Sequence, residues 1–428
     1  MKLLHCADIH LGYETHGRID PETGLNSRLL DFARCFDVMV ARALAEDIDL
    51  FLFCGDAYRT ADPTPTQQKL FAECLKPVSD AGIPIVMVIG NHDHPVSFGK
   101  ASAVDIFGYL QGTVTIVRRP TTFAGDTILQ TKGGPLQLVA LPWPIRSVIL
   151  TKEQYRKKSP TEIREEIERI YLHYIEDACA KLDPALPAVL AGHFSVNGSE
   201  LGGSERASLI AHEPKFSVGD LGDPRLDYVA LGHIHKYQDR NLDASSVGEG
   251  PPVVYSSSIE RISFKEADAD KGFVLVDIEP DANGRNGKRT TYTFVETPAR
   301  RFVSIEANFT DPDGPAGTPA AQADPTAYLL GRIKLAHLDG AVVRVRYRID
   351  DAQASLVDPT ALRDALAPAD TIAAIERIVD PTTRERRTTV RRDASLKDAL
   401  EQYIAQHDTL TKLKDDLVEA ALKLEQEL

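Results

Sequence analysis

Short apolar runs alternate with longer segments of helical periodicity in the first part of the chain. The runs at residues 2–7, 50–54 and 83–89 predict buried strands, since almost every side chain in them is apolar. Between them, residues 26–47 and 64–81 place apolar side chains at the spacing of one helix face. Strands that alternate with helices in this way are typical of a parallel sheet. The pattern therefore predicts an α/β fold here.

The middle of the chain continues this pattern with one long charged helix and further short strands. The helix is predicted over residues 160–182. The strands are predicted at residues 138–141, 188–191, 228–231, 253–255 and 272–278. A Gly- and Asn-rich segment at residues 281–288 then marks a domain boundary or a turn. We place the first domain at residues 1–282.

Beyond this segment the pattern indicates a small α+β domain over residues 285–392. Residues 360–366 have a helical pattern, and residues 311–325 are rich in Pro, Gly, Ala and Asp, which predicts a loop with little structure of its own. Strand character recurs at residues 302–307, 341–348 and 372–379.

Residues 395–428 have the pattern of an amphipathic helix. Apolar side chains spaced by seven residues form a stripe along it, namely Leu396, Tyr403, Leu410, Leu417 and Leu424. Such a helix packs on its own domain or docks on a partner, and the pattern leaves both open.

The composition of the 428 residues, 43% hydrophobic and 26% charged, is that of an ordinary globular protein. No apolar run approaches the roughly 18 residues of a membrane span, and the N-terminal apolar stretch is too short for a signal peptide, so we expect a cytoplasmic protein. The five scattered cysteines form no Cys-x-x-Cys pair, which argues against disulfides and a thiolate zinc site. The formal net charge of −14 counts against a generic nucleic-acid binder, although carboxylates balanced by divalent metal ions would also look acidic.

Polar side chains directly follow five of the predicted strands. Ligands collect at the carboxyl ends of strands in α/β sheets, so we expect these groups to meet. In four of them a glycine lies between strand and polar side chain, where the backbone must turn sharply and leave room for a substrate. The groups are Asp8 with His10, Gly55-Asp56, Gly90-Asn91-His92-Asp93, Gly192-His193 and Gly232-His233-Ile234-His235.

Carboxylate, imidazole and amide groups without thiolates suit divalent ions such as manganese, iron or zinc. A carboxylate between two ions can bridge them, and two ions roughly 3.5–4 Å apart clamp a phosphoryl group during in-line displacement. Each group alone has an ordinary structural explanation, such as a turn aspartate or a hydrogen-bonded core histidine. Their joint occurrence, in this order and at strand ends, predicts a metal site.

The order Asp-x-His, Gly-Asp, Gly-Asn-His-Asp, Gly-His and Gly-His-x-His resembles that of the calcineurin-like metallophosphoesterases. Within them the chain is similar to the SbcD-type DNA repair exonucleases, with further matches at residues 7–12, 230–236 and 255–261. The resemblance covers about residues 1–280 closely, and beyond that it rests on domain layout. It implies a metallophosphoesterase β-sandwich flanked by helices, a small α+β capping domain and a C-terminal amphipathic helix.

The resemblance also implies two divalent metal ions, with manganese as the expected metal, and a catalytic pair. His92 would face the scissile phosphate, and Asp93 would orient His92. The first ion would be held by Asp8, His10, Asp56 and His235. The second would be held by Asp56, Asn91, His193 and His233, with Asp56 bridging.

Candidate DNA contacts come from arginines. Arg59 stands where some relatives have a histidine, and it either contacts a backbone phosphate or lies on a solvated loop. The other candidates lie in the predicted second domain, where a solvated charged surface explains them equally well. They are Arg344, Arg346 and Arg348, which alternate along a strand, and Arg384, Arg386 and Arg387 in a basic run.

The resemblance implies DNA as substrate and an SbcC-type coiled-coil ATPase as the partner of residues 395–428. It also implies a heterotetramer that contains a homodimer of this chain, and this complex would be associated with the nucleoid and not with a membrane.

Three functions stay open: a metal-dependent DNA nuclease (double-strand exonuclease and single-strand endonuclease) acting in DNA repair, a small-molecule or protein phosphoesterase of the same superfamily, and a non-catalytic DNA tether. The basic segments and the terminal helix argue against the second function. The intact set of ligand positions argues against the third.

Overall fold

The computed structural model describes residues 1–95, 100–109, 114–144, 158–205, 213–241, 250–380, 397, 400–401, 404 and 414–427. Two compact units divide the chain. The first comprises Met1–Ile305, Arg332–Val345 and Arg363–Ile375, and the second comprises Glu306–Gly331, Arg346–Leu362 and Glu376–Leu428. None of the described helices is long and apolar enough to span a membrane.

The strands of the described chain are β1 (Lys2–Cys6), β2 (Leu50–Cys54), β3 (Ile85–Val88), β4 (Val114–Val117), β5 (Thr121–Phe123), β6 (Leu129–Thr131), β7 (Gly134–Leu141), β8 (Ala188–His193), β9 (Ser195–Val196), β10 (Lys215–Phe216), β11 (Tyr228–Gly232), β12 (Gln238–Asp239), β13 (Val253–Tyr255), β14 (Gly272–Arg285), β15 (Lys288–Glu296), β16 (Phe302–Asn308), β17 (Val342–Asp350) and β18 (Thr371–Asp380). The α-helices are α1 (Ser27–Ala45), α2 (Pro65–Asp80), α3 (Pro160–Cys179), α4 (Val218–Leu221), α5 (Pro319–Ala323), α6 (Pro325–Leu335), α7 (Pro359–Ala365) and α8 (Lys414–Glu427).

Six strands form the first sheet, in the order β15-β14-β1-β2-β3-β4. Strands β1 to β4 are parallel, as the alternation of strands and helices predicts. The Gly- and Asn-rich segment at residues 281–288 contains the turn between the antiparallel strands β14 and β15. Strand β15, which lies beyond the predicted boundary at residue 282, therefore belongs to this first sheet, while the domain boundaries themselves stay a prediction.

Seven strands form the second sheet. Its order is β12-β13-β11-β8-β7-β5, and β6 pairs with β7. The four central strands β7, β8, β11 and β13 are parallel. Both large sheets therefore have a parallel centre, and each presents a row of carboxyl-terminal strand ends at one edge.

The two large sheets pack face to face. Alternate residues such as Leu52 of β2 and Ala230 of β11 lie in the core between them. On the outer face of the first sheet, Phe53 packs against α1 and α2, and on the outer face of the second sheet Leu190 packs against α3. This period of two fits strands that are buried on both faces, and each fully buried Leu or Phe stabilises the fold by about 1.5–3 kcal/mol. The predicted α/β sandwich flanked by helices is confirmed.

Local sequence signals start the helices that cover the sheets. The side chain of Thr64 caps α2 together with Gln67 in a reciprocal pair of hydrogen bonds, and Ser159 caps α3 with Glu162 in the same way. A proline occupies the first turn of both helices, where its missing N–H costs nothing. These caps define where the polypeptide leaves each sheet edge.

A third sheet has the order β16-β17-β18, as the strand character of its three segments predicts. The segment at residues 311–325, predicted to be a loop, contains α5, because the Thr318 side chain accepts the Ala321 N–H and Pro319 starts the helix. Helix α8 falls within the helix predicted over residues 395–428. The rest of that segment, apart from residues 397, 400–401 and 404, lies outside the described residues.

A buried ion cluster ties α1 to the segment before β16. Arg28 and Asp31 are each 1% exposed, and the Arg28 guanidinium lies 2.7 Å from Asp31 Oδ2. Asp31 also accepts hydrogen bonds from the guanidinium of Arg300. The backbone N–H of Arg300 lies 3.0 Å from both carboxylate oxygens of Glu260. Because Asp31 faces three guanidinium groups, those of Arg28, Arg34 and Arg300, its loss would leave the buried Arg28 charge poorly compensated.

We therefore expect Asp31→Asn to lower the free energy of unfolding by about 3 kcal/mol. Urea denaturation followed by circular dichroism measures the change. Asp37→Asn, on the exposed side of the same helix, is the matched control and should change the free energy of unfolding by less than about 0.5 kcal/mol. Equal effects of the two substitutions would contradict the role assigned to Asp31.

Candidate metal centre

The five predicted strand-end groups meet where the carboxyl ends of the two sheets adjoin. Strands β1, β2 and β3 deliver their groups from the first sheet, and β8 and β11 deliver theirs from the second. Asn91 and His92 are half-buried. The other side chains are less than 10% exposed, and they are Asp8, His10, Asp56, His193, His233 and His235.

Four of these residues have a left-handed backbone. Their φ angles are 54° for Asp8, 51° for His10, 62° for Asp56 and 93° for His233. Such angles are uncommon outside glycine and cost on the order of 1–3 kcal/mol each, so they persist only where the surroundings fix them. The strain lies at the strand ends that carry the candidate ligands, as is typical of functional sites.

Two of the glycines make room for neighbouring ligand candidates. A Cβ on Gly55, whose φ is +93°, would lie 2.3 Å from His193 Nδ1. A Cβ on Gly90 would lie 2.1 Å from Asp56 Oδ1. The sequence predicted that these glycines leave room for a substrate; the structure shows that the space is taken by the other ligand side chains.

A first ligand group forms around Asp8. The Nε2 atoms of His10 and His235 lie 2.9 Å apart, and each is 3.9 Å from Asp8 Oδ1. Asp8 also accepts the backbone N–H of His233 on both oxygens, at 3.0 and 2.9 Å, which links the two sheets. These three side chains converge on one small volume.

A second ligand group forms around Asn91. Its Oδ1 lies 3.0 Å from His193 Nε2 and 3.1 Å from His233 Nδ1. Asp56 Oδ2 lies 3.3 Å from His193 Nε2 and 3.6 Å from His10 Nε2 of the first group. One oxygen of Asp56 is therefore within reach of both groups.

Acceptors outside the site fix three of the imidazoles. His193 Nδ1 lies 2.6 Å from the Cys54 carbonyl oxygen, His235 Nδ1 lies 3.0 Å from Glu266 Oε1, and His233 Nε2 lies 2.9 Å from Glu213 Oε2. An N–H at each outer nitrogen donates to its acceptor, so in the neutral imidazole the inner nitrogen is the one that presents a lone pair to the site.

Inward-facing lone pairs beside two carboxylates repel one another unless positive charge lies among them. His10 adds to this arrangement, because its Nδ1 is buried without a hydrogen-bond partner among the described residues and its Nε2 faces another imidazole nitrogen. The nitrogen and oxygen donors are those that divalent transition metals prefer. The residues present therefore fit divalent metal ions.

The pKa values of the ligand candidates also indicate that positive charge is favoured in this site. Burial lowers the pKa of His193 and His235, but Asp56 acting on His193, and Glu266 and Asp8 acting on His235, outweigh it and raise both pKa values to about 9. Burial raises the pKa of Asp8. Burial also acts to raise the pKa of Asp56, yet the neighbouring His193 and His92 hold it well below its usual range.

His92 lies beside the first ligand group. Its backbone N–H donates to Asp56 Oδ1 at 2.8 Å, its Nδ1 lies 2.7 Å from the Arg59 carbonyl oxygen, and its ring meets that of His10 edge to face at 4.7 Å. The sequence prediction that Asp93 orients His92 needs correction. Asp93 instead accepts backbone N–H groups of Gly90, Asp56 and Ala57, at 2.8 to 3.0 Å, and so joins the ends of β2 and β3.

The predicted DNA-contact arginines lie in different surroundings. Arg59 is exposed, with its guanidinium 4.8 Å above the Tyr13 ring. Arg344 stacks 4.4 Å above Phe264, whereas Arg346 and Arg348 are exposed on β17 in the second unit. The remaining predicted arginines, Arg384, Arg386 and Arg387, lie outside the described residues.

Sequence reasoning missed several residues around the ligands. The Trp143 ring lies 5.0 Å from that of His233, and a signal existed, because Trp143 follows the end of β7 at the same sheet edge. Glu213 and Glu266, which contact His233 and His235, lie 20 and 31 residues from these histidines along the chain. No local pattern marks them.

The raised pKa values give a testable pH dependence. Below pH 9, His193 and His235 hold protons that a metal ion must displace, so we expect Mn²⁺ affinity to rise between pH 6.5 and 9 and to level off above. Each displaced proton contributes up to about tenfold per pH unit. Calorimetric titration of chelator-treated protein in buffers of different ionisation enthalpy measures the affinity and the protons released. Affinity that does not change over this range would contradict the assignment.

The family of the chain follows from comparison with known proteins. The family model described as calcineurin-like phosphoesterase matches residues 1–237, which is more than half of the chain. The chain therefore belongs to this family. Membership implies a phosphoesterase that uses divalent metals, and the two ligand groups are its candidate metal centre.

Curated relatives named as the SbcD component of the nuclease SbcCD are similar to this chain. The Bacillus subtilis protein is 28% identical over 289 residues, which cover 65% of this chain and 67% of that protein. The Escherichia coli K12 protein is 24% identical over 317 residues, which cover 71% and 70% of the two chains. The resemblance to SbcD-type nucleases that the sequence predicts is confirmed.

Two solved structures also resemble this one. A dimetal phosphatase from Danio rerio matches with a TM-score of 0.40 and 13% identity, over 69% of this chain and 99% of that chain. The protein TT1561 of Thermus thermophilus matches with a TM-score of 0.32 and 12% identity, over 68% and 97%.

Proposed function

We propose that this chain is the nuclease subunit of an SbcCD-type complex and hydrolyses DNA phosphodiester bonds in DNA repair. The observation that carries the proposal is the pair of buried ligand groups that share Asp56, in a chain similar to SbcCD nuclease subunits over 65–73% of its length. Both exonuclease action on double strands and endonuclease action on single strands belong to the proposal.

Two divalent ions, which we take to be Mn²⁺, would occupy the centre. When bound, such ions activate the attacking water and neutralise the phosphate. The first would lie between Asp8, His10, Asp56 and His235. The second would lie between Asp56, Asn91, His193 and His233.

His92 is the proposed catalytic residue outside the ligand groups. The Arg59 carbonyl accepts the Nδ1 hydrogen and orients the ring, so Nε2 is the atom available to stabilise phosphate charge or to protonate the leaving oxygen. The exposed Arg59 guanidinium, on the residue that positions His92, would contact a backbone phosphate. We propose the same role for Arg344, Arg346, Arg348, Arg384, Arg386 and Arg387, within a capping domain over residues 285–392.

The role of His92 is tested by DNA cleavage. We expect His92→Ala to lower the Mn²⁺-dependent cleavage rate of linear duplex and single-stranded DNA by about 10²–10⁴-fold, the usual contribution of a general acid, with little change in Mn²⁺ affinity. His173→Ala, an exposed histidine on α3, is the matched control and should cleave at the wild-type rate.

A simple phosphodiester, bis-p-nitrophenyl phosphate, runs beside the DNA substrates. Turnover of this ester by wild-type protein without DNA cleavage, even with the ATPase partner added, would replace the nuclease with a small-substrate phosphoesterase. Binding of DNA without any turnover would favour a tether.

We further propose that residues 395–428 bind an SbcC-type coiled-coil ATPase, in a heterotetramer that contains a homodimer of this chain, in the cytoplasm at the nucleoid. The support is the similarity to SbcCD subunits and the amphipathic pattern, of which α8 is the longest described part. An apolar stripe on such a helix is suited to a helical partner.

Deletion of residues 395–428 should abolish co-purification with the ATPase and leave cleavage of bis-p-nitrophenyl phosphate by the isolated chain at the wild-type rate. The apolar stripe would be lost while the metal centre in the first unit stays complete. Persistent co-purification would place the ATPase contact elsewhere in the chain.

A further inference from the structure

Three charged side chains hold His235 at its backbone and at its ring. Its N–H donates to Glu205 Oε1 at 2.7 Å, and its carbonyl accepts from Lys271 Nζ at 3.0 Å. Its ring Nδ1 lies 3.0 Å from Glu266 Oε1. The residue is thus fixed from three directions before any ligand binds.

The carboxylate of Glu266 is fully buried, and both of its oxygens have hydrogen-bonding partners. Its Oε2 lies 3.0 Å from Lys271 Nζ and accepts the Ile262 N–H at 3.0 Å, while the Ser204 hydroxyl hydrogen-bonds to Oε1. Lysine ammonium and backbone N–H groups only donate. The atom at the Oε2 position must therefore be a hydrogen-bond acceptor, and the buried Lys271 ammonium balances the negative charge of Glu266.

This arrangement determines which nitrogen of His235 carries the proton. Glu266 Oε1 accepts from Nδ1, so in the neutral ring Nε2 is the nitrogen that directs a lone pair toward His10 and Asp8. A carboxylate behind a ligand histidine fixes the tautomer and the ring orientation and raises the basicity of the ligand nitrogen.

We propose that Glu266 is a positioning residue that fixes the ring and tautomer of His235 and thereby sets the affinity of the metal ion held by the first ligand group. The proposal rests on the two-ion function proposed above. Lys271 and Ser204 complete the unit by filling the remaining hydrogen-bonding positions of the carboxylate.

The second ligand group contains a matched counterpart. Glu213 Oε2 lies 2.9 Å from His233 Nε2, on the side opposite Asn91, which lies 3.1 Å from Nδ1. Its carboxylate is 17% exposed, and Glu213 belongs to a different segment of the chain from Glu266. Substitution of each glutamate should therefore affect one ion and spare the other.

Glu266→Gln is the direct test, because an amide cannot satisfy this site in either orientation. With its NH₂ toward His235 it faces the Nδ1 hydrogen, and with its NH₂ toward Lys271 it faces two donors. Calorimetric titration with Mn²⁺ should show two ions in the wild-type chain. In Glu266→Gln, one ion should bind about 10–100-fold more weakly, and the affinity of the other should be unchanged.

A double-mutant comparison identifies the affected ion. In a His235→Ala background, which lacks a ligand of the first group, Glu266→Gln should cause no further loss of Mn²⁺ affinity. Glu213→Gln in the same background should weaken the remaining ion. Loss of affinity for both ions in the Glu266→Gln single variant would show a general structural role and overturn the proposal.

Folding is checked by thermal unfolding in the presence of a chelator. If Glu266→Gln does not fold, Glu266→Asp, which keeps the charge on a shorter side chain, decides by the same titration: loss confined to one ion supports the proposal, and wild-type affinity overturns it. A wild-type chain that binds no Mn²⁺ would refute the proposed function itself. Two tightly bound ions in the wild type and in the folded glutamate variant alike would refute only this inference.

Discussion

Two buried carboxylates at the junction of two sheets impose the main constraint on this structure. Asp8 and Asp56 are at most 1% exposed, and a buried charge is costly unless an opposite charge compensates it. The chain surrounds them with imidazoles, and in three of these the outer nitrogen is held by a carbonyl or a carboxylate. Once a metal ion displaces the protons of His193 and His235, the inner nitrogens present lone pairs, and the ions supply the positive charge that the carboxylates need.

The rest of the fold holds this arrangement in place. Four ligand candidates have left-handed backbone angles, and Asp93 connects the ends of β2 and β3 through backbone hydrogen bonds. The sandwich core behind them is formed by apolar side chains from both sheets, which fixes the distance between their edges. Strain at the strand ends is tolerated because rigid, fully buried strands support it.

The sequence predicted the site better than its surroundings. Asp56 and His233 follow apolar strands directly, so the rule for strand ends located them. The sequence predicted that Asp93 orients His92, because the two residues are adjacent. The backbone N–H groups that Asp93 binds follow β2 and lie far from it in sequence, so no local pattern indicates them. Glu266 reaches His235 only through tertiary folding. Strand β15 was missed because its residues alternate between exposed and half-buried positions without an apolar run.

The central claim is that one carboxylate is shared by two ions, and anomalous X-ray scattering at the manganese edge tests it most directly. Crystals grown with Mn²⁺ should show two peaks per chain, one beside His10 and His235 and the other beside His193 and His233. The Asp56 carboxylate should contact both. A single peak, or two peaks of which only one contacts Asp56, would contradict the account.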